Sequence, residues 1–160
     1  MSTMDNLKEA FAGESQANRK YLAFARKADE EGYHQVAKLF RAAAAAETVH
    51  AMNHLEAMGA VNSTEKNLRE AIAGETAEFK EMYPGFIEEA EAEGEEQARW
   101  SFDVANKVEK IHAELYQNAL DNLGRNVEVD YYVCNWCGNT VEVRHPKGAP
   151  SAGLPRRSSE

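Results

Sequence analysis

The stretch Glu47-Thr48-Val49-His50 and its echo Glu109-Lys110-Ile111-His112 decide how this chain is read. Residues three apart on a helix share a face, with Cβ atoms about 5–6 Å apart, so each stretch aims a carboxylate and an imidazole at one point. Glu47 follows Glu14 of A-F-A-G-E-S by 33 residues, and Glu109 follows Glu75 of A-I-A-G-E-T by 34. Two helix pairs, each bringing a Glu and then a Glu-x-x-His turn, make up the ligand set of a dinuclear metal site in a four-helix bundle.

The two halves align at an offset of 61 or 62: Gly13-Glu14 with Gly74-Glu75, Gly32 with Gly94, His50 with His112. That period is too long for a solenoid unit and describes a doubled helical hairpin. Apolar spacing predicts helices over residues 4–31, 34–58, 65–93 and 95–123. Gly32, Gly59, Gly94 and Gly124 supply the stops, and Ser63 or Thr64 caps the third helix. Pro84 predicts a kink or local break near Met82–Pro84. The stripe of Phe11, Tyr21, Phe24, Leu39 and Phe40 is expected in the core. After Gly124 the β-branched and aromatic run V-E-V-D-Y-Y-V-C-N-W-C-G-N-T-V-E-V predicts a small hairpin turning at Gly138-Asn139. From Arg144 onward the lack of periodicity predicts an extended or disordered tail. The fold class is therefore all-α, with a helical metal-binding domain over 1–125 and a small appendage over 126–160.

With 160 residues the chain suffices for one principal domain with a real core. Its net charge is −9, from 27 acidic and 18 basic residues, with no basic stripe interleaved with aromatics, so nucleic acid is not an expected partner. No apolar run approaches 18 residues, and Asp5, Glu9 and Glu14 interrupt any N-terminal signal pattern. A cytoplasmic protein with no membrane partner is expected. The only cysteines, Cys134 and Cys137, form one C-x-x-C, which in a cytosolic chain points to metal or redox work.

Adding Glu78, three residues after Glu75, the candidate ligands are Glu14, Glu47, His50, Glu75, Glu78, Glu109 and His112. Mixed oxygen and nitrogen donors suit iron or manganese. One glutamate on a charged helix is ordinarily solvated, and one Glu-x-x-His says little. Four helices each placing a glutamate at matching depth, with Glu47 beside Ala42–Ala46 and Val49, say more. Burying such charges without cations costs several kcal/mol each; metal removes that penalty and couples binding to folding. His50 and His54 form H-x-x-x-H, but Ala51 stands where a zinc protease needs its glutamate, which excludes that class. His34 and His54 read as surface or supporting residues.

Across residues 4–123 the motifs A-F-A-G-E-S-Q-A, both E-x-x-H turns and A-G-E-T-A-E-F-K-E-M-Y-P-G-F resemble rubrerythrin. The resemblance implies a ferritin-like four-helix bundle with the seven residues above as ligands of dinuclear iron. It places Tyr21 and Tyr83 near that centre as catalytic candidates, and makes Glu78 and His50 a pair that exchanges at one iron on reduction. It implies a non-haem di-iron peroxidase of oxidative-stress defence, reducing hydrogen peroxide to water with electrons from a rubredoxin or an NAD(P)H-dependent reductase, in a homodimer. The alternative is a ferroxidase or iron-handling protein of the ferritin type, which needs a closed shell.

Rubrerythrins usually end in a rubredoxin-like module whose two C-x-x-C turns give four thiolates to one iron. Y-V-C-N-W-C-G-N-T-V-E resembles its first half only, leaving Cys134 and Cys137 as an incomplete second site, a rubredoxin-like hairpin remnant. His145 would add only a third ligand, so a one-iron centre is not expected in this chain alone. A shifted frame from the third base of Val143 is able to encode A-A-P-E-G-C-P-V-C-G-A-P-K-K-K-F, restoring the missing C-x-x-C. Residues 126–160 are thus expected to be a truncated or frameshifted module, and electrons to come from a separate donor.

Overall fold

Ser2 opens the first helix with a reciprocal cap: its Oγ accepts from the Asp5 N–H at 3.2 Å, while the Asp5 carboxylate accepts from the Ser2 N–H at 2.8 Å. The computed structural model describes residues 2–144. Met1, His145 and the rest of the tail, including the part read as frameshifted, lie outside the described residues. The chain divides into two units, Met1–Asn62 and Ser63–Glu160, each taken by itself below.

The first unit is a helical hairpin, α1 (Thr3–Glu30) and α2 (His34–Ala57). Its buried residues are alanines: Ala25 and Ala28 on α1, and Ala37, Ala44 and Ala51 on α2, spaced seven apart. Seven residues return to nearly the same face of a helix, and a side chain of one methyl lets the two backbones approach closely. Asn18 locks the register, its Nδ2 donating to the Ala44 carbonyl at 2.7 Å and to Thr48 Oγ1 at 2.9 Å. Phe11, Tyr21 and Phe40 are half-buried, as the core stripe predicts, but Phe24 and Leu39 are 47% and 67% exposed. A two-helix hairpin offers each helix one contact face, too narrow for an apolar stripe that wraps past it.

In the second unit, Ser63 caps α3 (Thr64–Ala77), its Oγ accepting from the Lys66 N–H. The kink or local break expected near Met82–Pro84 is a π-turn over Glu78–Met82, after which the helix continues as α4 (Tyr83–Glu93). Proline has no N–H to give the Lys80 carbonyl, and its ring crowds that oxygen. One wider turn, with Tyr83 N–H reaching back to the Glu78 carbonyl, absorbs the mismatch without stopping the helix. Gly94, at φ +74°, provides the left-handed stop before α5 (Glu96–Asp121).

Strands β1 (Asp130–Val133) and β2 (Thr140–Val143) pair antiparallel, Asp130 opposite Val143 and Val133 opposite Thr140. Their turn is closed by Cys134 N–H to the Asn139 carbonyl and Gly138 N–H to the Cys134 carbonyl, both 2.9 Å. Trp136 on this turn meets Trp100 of α5 with ring centroids 5.6 Å apart. Among the described residues there are therefore four long helical segments and one hairpin, as the all-α reading predicts. Among the described residues no helix is long and apolar enough to cross a membrane.

Candidate metal centre

Each unit carries one cluster of potential metal ligands. In the first, Glu14 comes from α1 and Glu47 and His50 from successive turns of α2. His50 Nδ1 lies 3.0 Å from Glu47 Oε2 and 3.7 Å from Glu14 Oε2. In the second, Glu75 comes from α3 and Glu109 and His112 from α5. There His112 Nδ1 lies 2.9 Å from Glu109 Oε2 and 3.6 Å from Glu75 Oε1. Corresponding distances agree to 0.1 Å, so the sequence repeat is also a repeat of side-chain geometry. The alanine seam and Asn18 explain the first triad: they hold α1 and α2 close one turn from Glu14, in a register that sets Glu47 beside it.

The carboxylates are crowded. Glu14 is raised above the ordinary glutamate range by its hydrogen bond to Glu47, by burial and by the Glu47 charge, whereas Glu47 is lowered by accepting from Glu14 and His50. Each carboxylate shifts the other, so that Glu14 releases its proton less readily than Glu47. Glu75 is pushed up to about 7, first by burial, then by its hydrogen bond to Glu109 and the charges of Glu109 and Glu78. No lysine or arginine is among the causes acting on Glu14, Glu47 or Glu75. Like charges collected without a protein cation are what a bound cation would relieve.

Glu78 is half-buried on the π-turn and is not within either triad, although its charge raises both Glu75 and Tyr83. Tyr83 is raised by burial first, then by Glu109, Glu78 and Glu75, so the second triad and this phenol are electrostatic neighbours. Tyr21 packs against Phe24 and Phe40, with centroids 6.3 and 6.1 Å away, two helical turns beyond Glu14. His34 pairs with Asp29 at 3.1 Å and takes no part in either triad, in keeping with a surface role. Cys134 and Cys137 are free thiols. Backbone N–H groups of Cys137 and Trp136, then the Cys137 side chain, hold the Cys134 thiol below its usual range.

Three residues here carry no motif. Asn18 bridges α1 and α2. Asn106, one turn before Glu109, has a buried Oδ1 without a hydrogen-bond partner among the described residues. Thr140 places its Oγ1 2.9 Å from His112 Nε2. Position near a ligand was the only available signal for Asn18 and Asn106, and for Thr140, 28 residues from His112, there was none.

Hard carboxylate oxygens combined with one imidazole per triad fit ferrous or ferric iron, and the crowding of unneutralised carboxylates fits a dication at each. The family described as Rubrerythrin matches residues 5–120. Rubrerythrin-2 of Clostridium acetobutylicum is 34% identical over 169 aligned positions, covering 95% of this chain and 92% of that protein. Nigerythrin of Nitratidesulfovibrio vulgaris is 38% identical over 151 positions, covering 86% and 75%. A solved structure described as the fully reduced, all-ferrous state of nigerythrin is similar at a TM-score of 0.52 and 35% identity, over 90% of this chain and 78% of that one.

Proposed function

Since the chain belongs to the rubrerythrin family, ferritin-like oxidoreductases that bind dinuclear iron, we propose that it is a non-haem di-iron peroxidase that reduces hydrogen peroxide to water. The observation that carries the reading is the duplicated triad, two Glu-Glu-His clusters alike to 0.1 Å in their Nδ1 to carboxylate distances. Glu14, Glu47, His50, Glu75, Glu109 and His112 would hold the metals, with Glu78 as a further carboxylate. Dinuclear iron, when bound, supplies both electrons for peroxide reduction.

The chain's own residues hold the ligands and the protons. Each Glu-x-x-His turn fixes a carboxylate and an imidazole on rigid helix rather than on loop. Tyr83 keeps its phenolic proton on Oη across the neutral range, because burial and three carboxylates disfavour the phenolate. It is therefore assigned as a hydrogen-bond donor at the second triad, and Tyr21, two helical turns from Glu14, is assigned the same role at the first. The division at 125/126 separates ligand-bearing helices from the cysteine hairpin. With two thiols the hairpin does not complete a four-thiolate site, so a separate rubredoxin or reductase is assigned as donor, in a cytoplasmic homodimer.

Anaerobic reduction followed by stopped-flow mixing tests the reading. Oxidation of the reduced centre far faster by hydrogen peroxide than by oxygen supports the peroxidase. Preference for oxygen, with continuing iron uptake beyond two per chain, would move the protein to the ferroxidase class.

A further inference from the structure

His112 is held from both sides. Its Nδ1 faces Glu109 and Glu75, while its Nε2 lies 2.9 Å from Thr140 Oγ1, the first residue of β2. Thr140 in turn donates its hydroxyl proton to the Gly138 carbonyl at 3.1 Å. A hydroxyl whose single proton is committed has only lone pairs left, so Nε2 must be the donor to Thr140. With Nε2–H so engaged, the proton that Nδ1 shares with Glu109 Oε2 at 2.9 Å is the one a metal would displace, freeing the Nδ1 lone pair as a ligand.

The support behind Thr140 is stiff. A β-branched side chain has few χ1 choices, and here the backbone is fixed by pairing with Val133. The hairpin is seated on α5 at three points: Trp136 against Trp100, Gly138 over Val108, and Thr140 on His112. Positions 100, 108 and 112 fall on one face of a helix. Gly138 suits its place through its φ of +78°, a left-handed conformation, and a Cβ there would lie in ordinary contact, 3.9 Å, with Val108 Cγ1. Beside the His112–Thr140 bond lies a cavity of ≈ 330 Å³ with Leu68, Leu115 and Tyr131 among its largely apolar walls. The corresponding histidine of the other half, His50, is 53% exposed in its side chain against 28% for His112.

We propose that Thr140 is a positioning residue for His112, fixing the ring with Nε2–H toward the hairpin and Nδ1 toward the metal, and so tying the Cys134–Cys137 turn to the centre. The inference rests on the metal-centre reading and goes beyond it by giving the hairpin a task that needs no second C-x-x-C. Partners of this kind orient a ligating imidazole, and losing one costs about 10–100-fold in metal affinity.

The test uses cobalt(II) as the probe on the full chain, comparing wild type, Thr140→Val and Thr140→Ser. Cobalt held by thiolates declares itself by a sulfur-to-metal charge-transfer band, which separates any binding at the cysteines. Wild type and T140S are expected to show a hyperfine-shifted imidazole N–H of His112 that exchanges slowly with water. T140V should lose that protection and bind cobalt about 10–100-fold more weakly, with unchanged helical circular dichroism. If T140V does not fold, Thr140→Ala takes its place. A folded T140V or T140A that keeps both the protected N–H and an affinity within twofold of wild type overturns the proposal, as does a folded T140S that loses them. Wild-type protein that binds cobalt through thiolates alone would instead sink the metal-centre reading.

Discussion

Replacing Glu75 by glutamine should remove a pH dependence that the metal-free protein otherwise shows. The Glu75 carboxyl titrates near 7 in the folded chain against an ordinary 4.5, because burial and the neighbouring Glu109 and Glu78 disfavour its charge. Between those values the folded state holds a proton that the unfolded state has released. Stability therefore falls as pH rises through this window, since ∂ΔG/∂pH follows the protons bound by the unfolded state minus those bound by the native one. At 1.36 kcal/mol per unit the full shift corresponds to about 3 kcal/mol; solvent screening of a partly exposed site reduces this to about 1–2 kcal/mol. The side chain is 19% exposed, so some of the effect should survive. Urea unfolding of metal-free protein at pH 5, 6, 7 and 8 measures it. Wild type should lose about 1–2 kcal/mol from pH 5 to pH 8, while Glu75→Gln, unable to ionise, should lose clearly less, the remainder coming from Glu14, which is raised in the same direction. The lowered carboxylate Glu47 acts with the opposite sign and is exhausted below the window, as its folded pKa lies under 4.5. Parallel pH profiles for wild type and Glu75→Gln would refute the reasoning.

Further expectations follow from single residues. Asn18→Ala should cost about 1–2 kcal/mol in urea unfolding, because it deletes two of the hydrogen bonds between α1 and α2, and should weaken iron binding at the first triad by loosening the register. Tyr83→Phe should keep its full iron content but oxidise about 10-fold more slowly with peroxide in stopped flow, the loss expected when one hydrogen bond to the reacting group is removed; an unchanged rate would remove Tyr83 from the chemistry. Changing Cys134 and Cys137 together to serine should leave iron per chain unchanged by metal analysis, because neither thiol belongs to a triad.

The Glu-Glu-His triads were legible because a helix converts sequence spacing directly into direction. Glu47 and His50, or Glu109 and His112, must share a face whatever else the chain does, and the repeat supplied Glu14 and Glu75. Helix ends were legible for the same local reason, through Gly94 and the Ser63 cap. Other features depend on what lies across from a residue. Pro84 predicted a kink or local break near Met82–Pro84, but not its form, a π-turn over Glu78–Met82 that carries the helix onward. Phe24 and Leu39 are apolar at helical spacing but exposed, since the spacing gives a stripe and the number of neighbours sets how much of it is covered. Glu78 shares a face with Glu75 by spacing alone, but the π-turn begins at Glu78 and leaves it out of the triad. Thr140 was invisible because its contact with His112 spans 28 residues and depends on where a hairpin lands.

The most direct test of the metal centre is Mössbauer spectroscopy on protein reconstituted with iron-57 and then oxidised, with iron counted per chain. The account predicts two ferric ions per chain, antiferromagnetically coupled and silent in electron paramagnetic resonance, falling to at most one when Glu109 and His112 are both changed to alanine. Isolated high-spin ferric ions, or an iron content that survives loss of Glu109 and His112, would contradict it.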